Sequence, residues 1–335
     1  MAAIMKILML HNRYLERGGE DESADAETAL LRSHGHEVDF LELDNRIIKS
    51  QSIIKTAIET IWSMPSYHLV RERIRKDKPD LVHIQNFFPL LSPSVHYAAK
   101  AEGKPVVQAL RNYRLLCLNG LFFREHKVCE ACLKKFVPLP GIVHRCYRQS
   151  AAGSVVVAAM LIFHRLLHTW GDKVDLFYTL SGFARQKFIQ AGMNGERIAI
   201  KPNFVTDPGI GSEQREYVLF VGRLTIEKGV LTLLNAWEIL EKMSIPLQIV
   251  GSGLLEKQIM ERARRFSNIR WLGKQDQSSV LELMKGARFV IFPSKWYETF
   301  GRVVIEAFAT QTPVIASRIG SAAELVSDGI HGILF

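Results

Sequence analysis

Apolar stretches of strand length alternate with segments of helical spacing along the first 200 residues. In the helical segments the apolar positions recur every three or four residues, as on one face of a helix. The predicted strands are 6–10, 37–43, 80–84, 105–110 and 174–180. The predicted helices are 24–33, 47–76 with a break near Pro65, 94–102, 150–170 and 183–191. Because strands that alternate with helices form parallel sheets, this half predicts an α/β domain.

The same alternation restarts after residues 201–209, which contain Pro202, Pro208 and Gly209 and have the composition of a linker. Predicted strands follow at 217–221, 246–250, 268–272 and 287–292. Predicted helices follow at 230–243 and 277–285, and another begins near Gly301. We therefore predict an α/β fold class with two domains, 1–200 and 201–335. Residues 331–335 have the pattern of the start of a strand or turn, so we expect an incomplete second domain.

Length and composition agree with this division. A chain of 335 residues is long enough for two domains with full cores, and 47% hydrophobic and 23% charged residues are typical of a globular protein. The apolar residues at the start are too few for a secretory signal and lead straight into a charged turn. The longest later apolar run, 154–163, is too short to span a bilayer. These features predict a cytoplasmic protein.

Positive charge is concentrated in the first half. The net charge is +9, and residues 51–200 hold 21 Lys and Arg against 10 Asp and Glu, a difference of 21 − 10 = +11. One interpretation is solubility, and the other is attraction to anionic lipid head groups or to lipid-diphosphate acceptors. The chain has no basic stripe with interleaved aromatic residues, so we do not expect it to bind nucleic acid.

Two glutamates flank a predicted helix start after the apolar strand 287–292. Glu298 lies before the helix, Glu306 lies about two turns into it, and Gly301 falls where the helix should begin. Free amides and the dipole at a helix N-terminus form an anion site suited to a diphosphate. The two carboxylates are suited to hydroxyl groups on either side of it. A nucleotide sugar, which has a diphosphate between two polyols, fits this arrangement.

Other loops carry related signals. Arg223 and Lys228 follow the predicted strand 217–221, where two cations suit a diphosphate, although a solvated turn would have the same composition. Gly251 follows the strand 246–250, again at the end where parallel sheets bind ligands. Gly18 and Gly19 lie in the predicted loop 11–22, either for close approach to a ligand or as an ordinary flexible turn.

All four cysteines lie in one segment, 117–146, with the spacing C-x11-C-x2-C-x13-C. The positions are Cys117, Cys129, Cys132 and Cys146. Disulfides are not expected in a cytosolic protein, and four thiolates can hold a structural zinc ion, with His126 or His144 as alternative ligands. The other interpretations are four independently packed cysteines or a redox pair at the C-x2-C. We interpret the segment as a lid or an acceptor-side loop.

His164 and His168 are four residues apart in the predicted helix 150–170. Such a pair can bind a metal on one helix face, but the glutamate of the H-E-x-x-H motif is absent. The helix could alternatively dock on a membrane as an amphipathic helix. We favour a third interpretation, burial in the core of the first domain.

The E-x7-E pattern with Phe300 and Gly301 between the glutamates resembles the retaining glycosyltransferases of the GT-B fold, family GT4. Residues 18–20, 35–38, 222–229 and 313–324 are similar to further motifs of that family, so the resemblance covers nearly the whole chain. It implies two Rossmann-like domains whose parallel sheets face each other across a cleft. The implied activity is retaining transfer of a sugar from a nucleotide-diphospho-sugar to a hydroxyl of a saccharide or glycolipid.

The resemblance also implies roles for individual residues. Glu298 would hold sugar hydroxyls, Glu306 would bind the ribose, and Arg223 and Lys228 would neutralise the leaving diphosphate. The remaining donor-binding positions would be Gly19, Gly251, Phe300, Gly301, Arg302 and Val303. Backbone amides from 300 to 303 would cradle the diphosphate and the sugar.

Arg111, after the strand 105–110, departs from the family pattern, because many relatives carry a histidine there. An arginine is permanently charged and cannot act as a base at neutral pH. The change would alter the donor preference, help to neutralise a phosphate, or reduce activity. Alternatively Arg111 simply pairs with a local carboxylate.

The family resemblance and the absence of an Asp-x-Asp sequence imply that catalysis needs no metal or other cofactor, so zinc would be structural only. By analogy we expect a role in polysaccharide, lipopolysaccharide or glycolipid assembly, with peripheral contact to an anionic membrane at its inner face. Three alternatives remain open. They are a sugar-nucleotide epimerase, a non-catalytic subunit that binds nucleotide sugars, and a scaffold organised by zinc.

Overall fold

The computed structural model describes residues 3–15, 18–210, 215–241 and 245–335. The chain forms two compact units. The first unit comprises Met1–Gly120, Glu130–Leu180 and Arg185–Lys201, and the second comprises Leu121–Cys129, Ser181–Ala184 and Pro202–Phe335. The predicted boundary at 200/201 lies one residue from the last of these divisions. The assignment of 121–129 and 181–184 to the second unit has no counterpart in the prediction.

The strands are short and most lie in two sheets. They are β1 (Lys6–Arg13), β2 (Glu37–Asp44), β3 (Leu81–Asn86), β4 (Val106–Leu110), β5 (Phe123–Arg124), β6 (Lys127–Val128), β7 (Leu176–Thr179), β8 (Ile198–Ile200), β9 (Tyr217–Val221), β10 (Leu247–Val250), β11 (Ile269–Trp271), β12 (Ala287–Phe292), β13 (Val314–Ala316) and β14 (Gly332–Leu334). The strands β5 and β6 form a separate antiparallel hairpin.

Helices connect most of the strands. They are α1 (Gly19–Ser33), α2 (Ile53–Ile61), α3 (Met64–Asp77), α4 (Ser94–Ala101), α5 (Leu139–Val143), α6 (Ala151–Leu166), α7 (Thr169–Asp172), α8 (Gly182–Gln190), α9 (Val230–Ile239), α10 (Glu256–Arg265), α11 (Gln277–Lys285), α12 (Arg302–Ala309) and α13 (Ala322–Leu325). Short 3₁₀ helices lie at Asn45–Ser50, Gly195–Arg197 and Ile226–Lys228. In the described part of the chain no helix combines the length and the apolar character needed to cross a membrane.

The first unit contains a parallel sheet of six strands in the order β2-β1-β3-β4-β7-β8. Strand β1 lies inside this sheet and is buried along its length, including Leu8, Met9 and Leu10. Parallel strands covered by helices on both faces are apolar without alternation, which is why the run at the start of the chain reads as a continuous apolar stretch.

The second unit contains another parallel sheet of six strands, in the order β11-β10-β9-β12-β13-β14. One hydrophobic cluster includes Val304 and Ala307 of α12 together with Val290 of β12. Another includes Val218 of β9 and Trp237 of α9. The strands β10, β9 and β12 are neighbours and run in the same direction, so the loops that follow them lie at one edge of the sheet.

Several predicted elements match the structure residue for residue, namely β9, α11 and β12. The helix α1 begins five residues earlier than predicted, because Gly18 acts as its N-cap and the two glycines are not both in the loop. The predicted helix 150–170 ends at Leu166, and His168 has a left-handed backbone with φ 50°. The predicted end of the helix 230–243, at Met243, lies outside the described residues.

Candidate functional site

Glu298 is a buried carboxylate in the loop after β12, with an exposed fraction of 6%. Its Oε1 accepts hydrogen bonds from Lys228 Nζ at 2.5 Å, Ser294 Oγ at 2.9 Å and Trp296 Nε1 at 2.9 Å. Its Oε2 accepts no hydrogen bond from the residues that the structure describes. One oxygen is therefore held by the protein, and the other remains available to a ligand hydroxyl.

Lys228 reaches Glu298 from the loop after β9. The chain turns at Gly229, where φ is 73° and a Cβ would lie 1.8 Å from the carbonyl oxygen of Pro293, so only glycine fits. The Lys228 ammonium also lies 5.4 Å from the centre of the Trp296 ring. Arg223 behaves differently, since its side chain is 59% exposed and lies 3.8 Å from Glu227. The structure thus brings one of the two predicted cations to Glu298.

The helix α12 begins immediately after the glutamate loop. Gly301 has φ 93° and serves as the N-cap without a side-chain cap, and Arg302 and Val303 form the first turn. The first amides of a helix have no partner within the helix and point outward from its start. Ser321 Oγ donates to the carbonyl oxygens of Glu298 at 2.9 Å and Phe300 at 2.7 Å, which holds the loop in place. The structure thus places a helix start at the position where the sequence predicts an anion site, and the binding of an anion there stays a prediction.

Glu306 is buried on α12, with an exposed fraction of 3%. Its Oε1 accepts hydrogen bonds from Arg302 Nε at 2.7 Å and from Gln277 Nε2 at 3.0 Å. A ribose would have to bind beside these donors. Gln277 was missed in the sequence analysis, because it lies 29 residues away on α11 and no motif connects it to Glu306.

Gly251 lies in the loop after β10, against the loop after β9. Its φ is 141°, and a Cβ would lie 1.9 Å from the carbonyl oxygen of Gly222. The amide of Lys295 donates to the carbonyl of Glu227 at 2.8 Å, which joins the loops after β9 and β12. Three loops with predicted site residues therefore meet at the carboxyl edge of the second sheet, where parallel sheets bind ligands.

Gly19, predicted to contact the donor, is the first residue of α1 in the first unit. A Cβ at Gly18 or Gly19 would meet no atom within 4 Å, so packing does not require glycine at either position. Behind the loop, Asp21 accepts from the amide of Gly18 at 2.9 Å and lies 2.8 Å from His11 Nε2. The buried pair of His11 and Asp21 was missed, because neither residue belongs to a recognised motif.

Arg111 belongs to a buried polar network of the first unit. It is 4% exposed, and its guanidinium donates to Gln85 Oε1 at 2.7 Å and to Glu27 Oε2 at 3.0 Å. Lys201 Nζ lies 2.8 Å from the other oxygen of Glu27. Among the alternatives considered for Arg111, the structure shows pairing with a local carboxylate.

The network shifts the pKa values of its members. Burial alone would raise the pKa of Glu27, but His83, Lys201 and Arg111 outweigh it and lower that pKa to about 2. Burial lowers the pKa of His83 to about 4, and the nearby Lys201 and Arg111 act in the same direction. The imidazole is therefore neutral and Glu27 is charged at pH 7.

None of the four cysteines forms a disulfide bond. Cys117, Cys132 and Cys146 belong to the first unit, and Cys129 lies at the end of the β5–β6 hairpin assigned to the second. Among the described residues no group of three or more Cys, His, Asp or Glu is placed to hold a metal ion. The structural zinc site stays a prediction.

His164 is fully buried and both of its ring nitrogens have partners. Nδ1 lies 2.8 Å from Thr169 Oγ1, and Nε2 lies 2.9 Å from the carbonyl oxygen of Ile61. His168 lies beyond the end of α6 and is exposed. The two histidines therefore do not share a helix face, and the favoured interpretation, burial of this helix in the core, agrees with the position of His164.

Comparison with known proteins finds similarity to glycosyltransferases. Residues 207–335 match the family model "Glycosyl transferases group 1". An uncharacterized glycosyltransferase of Methanocaldococcus jannaschii is 25% identical over 98% of this chain and 84% of its own length. The phosphatidyl-myo-inositol mannosyltransferase of Mycobacterium leprae is 29% identical over 52% of this chain and 49% of its own length.

Solved structures support the fold. The crystal structure of Anabaena Alr3699/HepE in complex with UDP-glucose superposes with a TM-score of 0.64 at 20% identity, over 99% of this chain and 85% of that one. A glycosyltransferase from Rickettsia africae gives a TM-score of 0.67 at 18% identity, over 99% and 84%. The chain is therefore a relative of the group 1 glycosyltransferases with the GT-B fold, as its motifs predicted, and residues 207–335 carry the domain of that family.

Proposed function

We propose that this protein transfers a sugar from a nucleotide-diphospho-sugar to a hydroxyl of a saccharide or glycolipid, with retention at the anomeric carbon. The observation that carries the proposal is the buried Glu298, held by Lys228 beside the N-terminus of α12. The Anabaena protein of the same fold was crystallised in complex with UDP-glucose, which is a ligand of this class.

In the proposed donor complex, Glu298 Oε2 accepts hydrogen bonds from sugar hydroxyls. The amides of residues 300–303 bind the diphosphate, because a helix N-terminus favours negative charge. Glu306 binds the ribose beside the donors Arg302 and Gln277, which fix the orientation of its carboxylate. Gly251 allows the backbone to approach the ligand closely, as its φ of 141° permits.

In the proposed reaction the bond between the anomeric carbon and the diphosphate oxygen breaks, and the diphosphate leaves with the electron pair. Lys228, Arg223 and the α12 dipole stabilise the charge that develops on it. Retention means that the acceptor hydroxyl attacks from the side of the leaving group. A diphosphate oxygen can then take the hydroxyl proton, so the proposal needs no side-chain base and no catalytic metal.

We further propose that the first unit contacts an anionic membrane surface at its cytoplasmic face, as suits a lipid-linked acceptor. Helix α2 exposes Ile53, Ile54 and Ile58 at 86%, 74% and 62%, whereas its buried residue is Thr60. Residues 131–171 contain five Lys and Arg and no Asp or Glu. Helix α2 packs on α6, which lies within that stretch. Apolar residues near cations favour an anionic lipid surface.

Thermal unfolding with UDP-, GDP- and ADP-sugars tests the donor site, together with a turnover assay and determination of the anomeric configuration of the product. A ligand at a hundred times its Kd stabilises the fold by about 2.7 kcal/mol. We expect one nucleotide sugar to stabilise the wild type and Glu298→Ala and Glu306→Ala to abolish the shift. The matched control is Glu282→Ala on α11, whose side chain is 70% exposed.

The outcomes separate the candidate functions. Binding with turnover and a retained anomeric configuration supports the proposal, whereas an inverted product contradicts its mechanism. Binding without turnover of any acceptor would instead indicate a non-catalytic subunit. Absence of a shift with every donor would contradict the assignment of Glu298 and Glu306 to a donor site.

A further inference from the structure

The first unit contains a cavity of about 500 Å³ that the proposed transfer reaction does not use. Much of its lining comes from the connections that lead into β7 and β8, including Gly171, residues 191–194 and Arg197. Ligands of parallel sheets bind at the opposite, carboxyl ends of the strands. The lining also includes Leu115 and Leu116, which follow β4. All lining residues belong to the first unit, whereas the proposed donor site lies in the second.

The wall of the cavity is largely apolar. Its apolar side chains include Leu115, Leu116, Phe136, Trp170, Phe177 and Met193. The indole Nε1 of Trp170 is buried and has no hydrogen-bond partner among the described residues. Because this nitrogen is buried, it does not reach the cavity, and the indole adds no hydrogen-bond donor to the apolar wall.

The same cavity is cationic. Its charged lining residues are Lys134, Lys135, Arg165 and Arg197, and no Asp or Glu is among the residues that line it. Neither lysine forms an ion pair within the part of the chain that the structure describes. Arg197 interacts with the carboxylate of Asp175, whereas the two lysines have no carboxylate partner among the described residues.

Arg165 shows this imbalance most clearly. Its guanidinium donates to the backbone carbonyls of Leu115 at 2.8 Å, Lys135 at 2.8 Å and Phe136 at 2.5 Å, and it contacts no carboxylate of the residues that the structure describes. Burial lowers the pKa of Arg165, although Cys132 acts in the opposite direction. A partly buried cation without a counter-ion is unfavourable, and a bound anion would offset that cost.

We propose that this cavity binds a lipid with a phosphate head group. The phosphate lies among Lys134, Lys135 and Arg165, and the hydrocarbon chain packs against Leu115, Phe177 and Met193. A phosphate without hydrocarbon chains would leave the apolar wall uncovered, and a neutral lipid would leave the cations without a counter-ion. A volume of about 500 Å³ is typical of sites that take one small ligand.

Calorimetric titration of the full chain with three matched probes tests the proposal. The probes are dioctanoyl phosphatidic acid below its aggregation concentration, dioctanoylglycerol without the phosphate, and inorganic phosphate without the chains. We expect the phosphatidic acid to bind at least tenfold more tightly than either of the others. The proposal would be overturned if dioctanoylglycerol bound as tightly as the phosphatidic acid. It would also be overturned if inorganic phosphate did so, which would indicate an adventitious ion only, or if no probe bound.

Variants place the ligand in the cavity. Lys134→Gln/Lys135→Gln changes two exposed side chains and should weaken phosphatidic acid at least tenfold without lowering the unfolding temperature. Met193→Asp should weaken it several-fold by placing a carboxylate in the apolar wall. The matched control, Lys257→Gln on α10 of the second unit, should bind as the wild type does. Unchanged binding in both cavity variants would contradict the assignment.

The source of the lipid and the independence from sugar transfer are tested separately. Flotation with phosphatidylcholine vesicles that contain or lack phosphatidic acid tells whether the head group is taken from a bilayer or from dispersed lipid, and the proposal covers both. Lys134→Gln/Lys135→Gln should leave the thermal shift by nucleotide sugars unchanged. If the cavity variants removed that shift as well, the cavity would not be a separate site.

Discussion

At Glu298 the two carboxylate oxygens have different surroundings, and this difference defines the site at the scale of single residues. Oε1 accepts three hydrogen bonds from protein groups, and Oε2 accepts none from the described residues. The E-x7-E motif and the position of Gly301 could be predicted from the sequence. The contribution of Ser294 and Trp296 could not, because a hydrogen bond to a nearby side chain leaves no periodic pattern.

Removing the ammonium of Lys228 should leave the Glu298 carboxylate buried without its charge partner. The side chains are 16% and 8% exposed, so the pair is poorly solvated. Because breaking a buried ion pair on one side is strongly unfavourable, we expect Lys228→Met to lower the free energy of unfolding by about 3 kcal/mol. Urea unfolding, monitored by tryptophan fluorescence, measures this loss.

The double variant Lys228→Met/Glu298→Gln is the internal control for this pair. It removes both charges and should recover part of the lost stability, as a double-mutant cycle shows. If the double variant lost as much free energy of unfolding as Lys228→Met and Glu298→Gln together, Lys228 and Glu298 would not interact in solution.

Gly229 and Gly273 have similar backbone conformations but different surroundings. Replacing each by alanine therefore distinguishes the cost of the backbone conformation from the cost of close packing. Their φ values are 73° and 72°, but a Cβ at Gly229 would lie 1.8 Å from Pro293 O, whereas a Cβ at Gly273 meets nothing within 4 Å. Gly273→Ala should lower the free energy of unfolding by about 1 kcal/mol because of its left-handed backbone. Gly229→Ala should lower it clearly more, because the loop must also move. Thermal unfolding of both variants checks this, and equal losses would contradict the close approach.

At the scale of secondary structure, predictability depended on how strongly each segment is patterned. The strands β9 and β12 are apolar runs bounded by polar or turn residues, and their limits were predicted correctly. The start of α1 was wrong by five residues, because Gly18 and Gly19 resemble a flexible loop although Gly18 caps the helix. The two-residue strands β5 and β6 were not predicted, since they are too short to show an alternation.

Helix α2 exposes Ile53, Ile54 and Ile58 to solvent, so their replacement should affect membrane binding rather than folding. We expect Ile54→Asn/Ile58→Asn to leave the unfolding temperature within about 2 °C of the wild type, since exposed positions contribute little to stability. The same variant should bind at least fivefold less to vesicles that contain phosphatidylglycerol. Flotation assays measure this binding.

Ile330→Asn in the second unit is the matched control, because its side chain is 80% exposed. It should bind vesicles like the wild type. A large loss of stability in the α2 variant, or equal loss of vesicle binding in the control, would contradict the assignment of this surface.

At the scale of the whole molecule, the buried network of the first unit makes stability depend on pH. Glu27 has a pKa of about 2 when folded against 4.5 for the free side chain, so its contribution is present above pH 4.5 and is lost as the pH falls toward 2. His83 has a pKa of about 4 against 6.5, so its contribution is present above pH 6.5 and is lost as the pH falls toward 4.

Acidification should therefore destabilise the first unit from about pH 6.5 downward, by up to about 3 kcal/mol for His83 alone at pH 4. Denaturant unfolding at pH 7.5, 5.5 and 4.5 measures the slope of the free energy of unfolding against pH. His83→Gln should flatten it, whereas His34→Gln, at an exposed position, should not. An identical slope in His83→Gln and the wild type would show that His83 does not carry the effect.

The division of the chain into its two units has a consequence for recombination between related genes. The segments 121–129 and 181–184 belong to the second unit but are encoded among residues of the first. A crossover at residue 201 would exchange most of the second unit, but these thirteen codons would still come from the other parent. Hybrids made at that junction would then combine a second unit from one lineage with a hairpin from another, which favours exchange between close relatives and disfavours free shuffling of the halves.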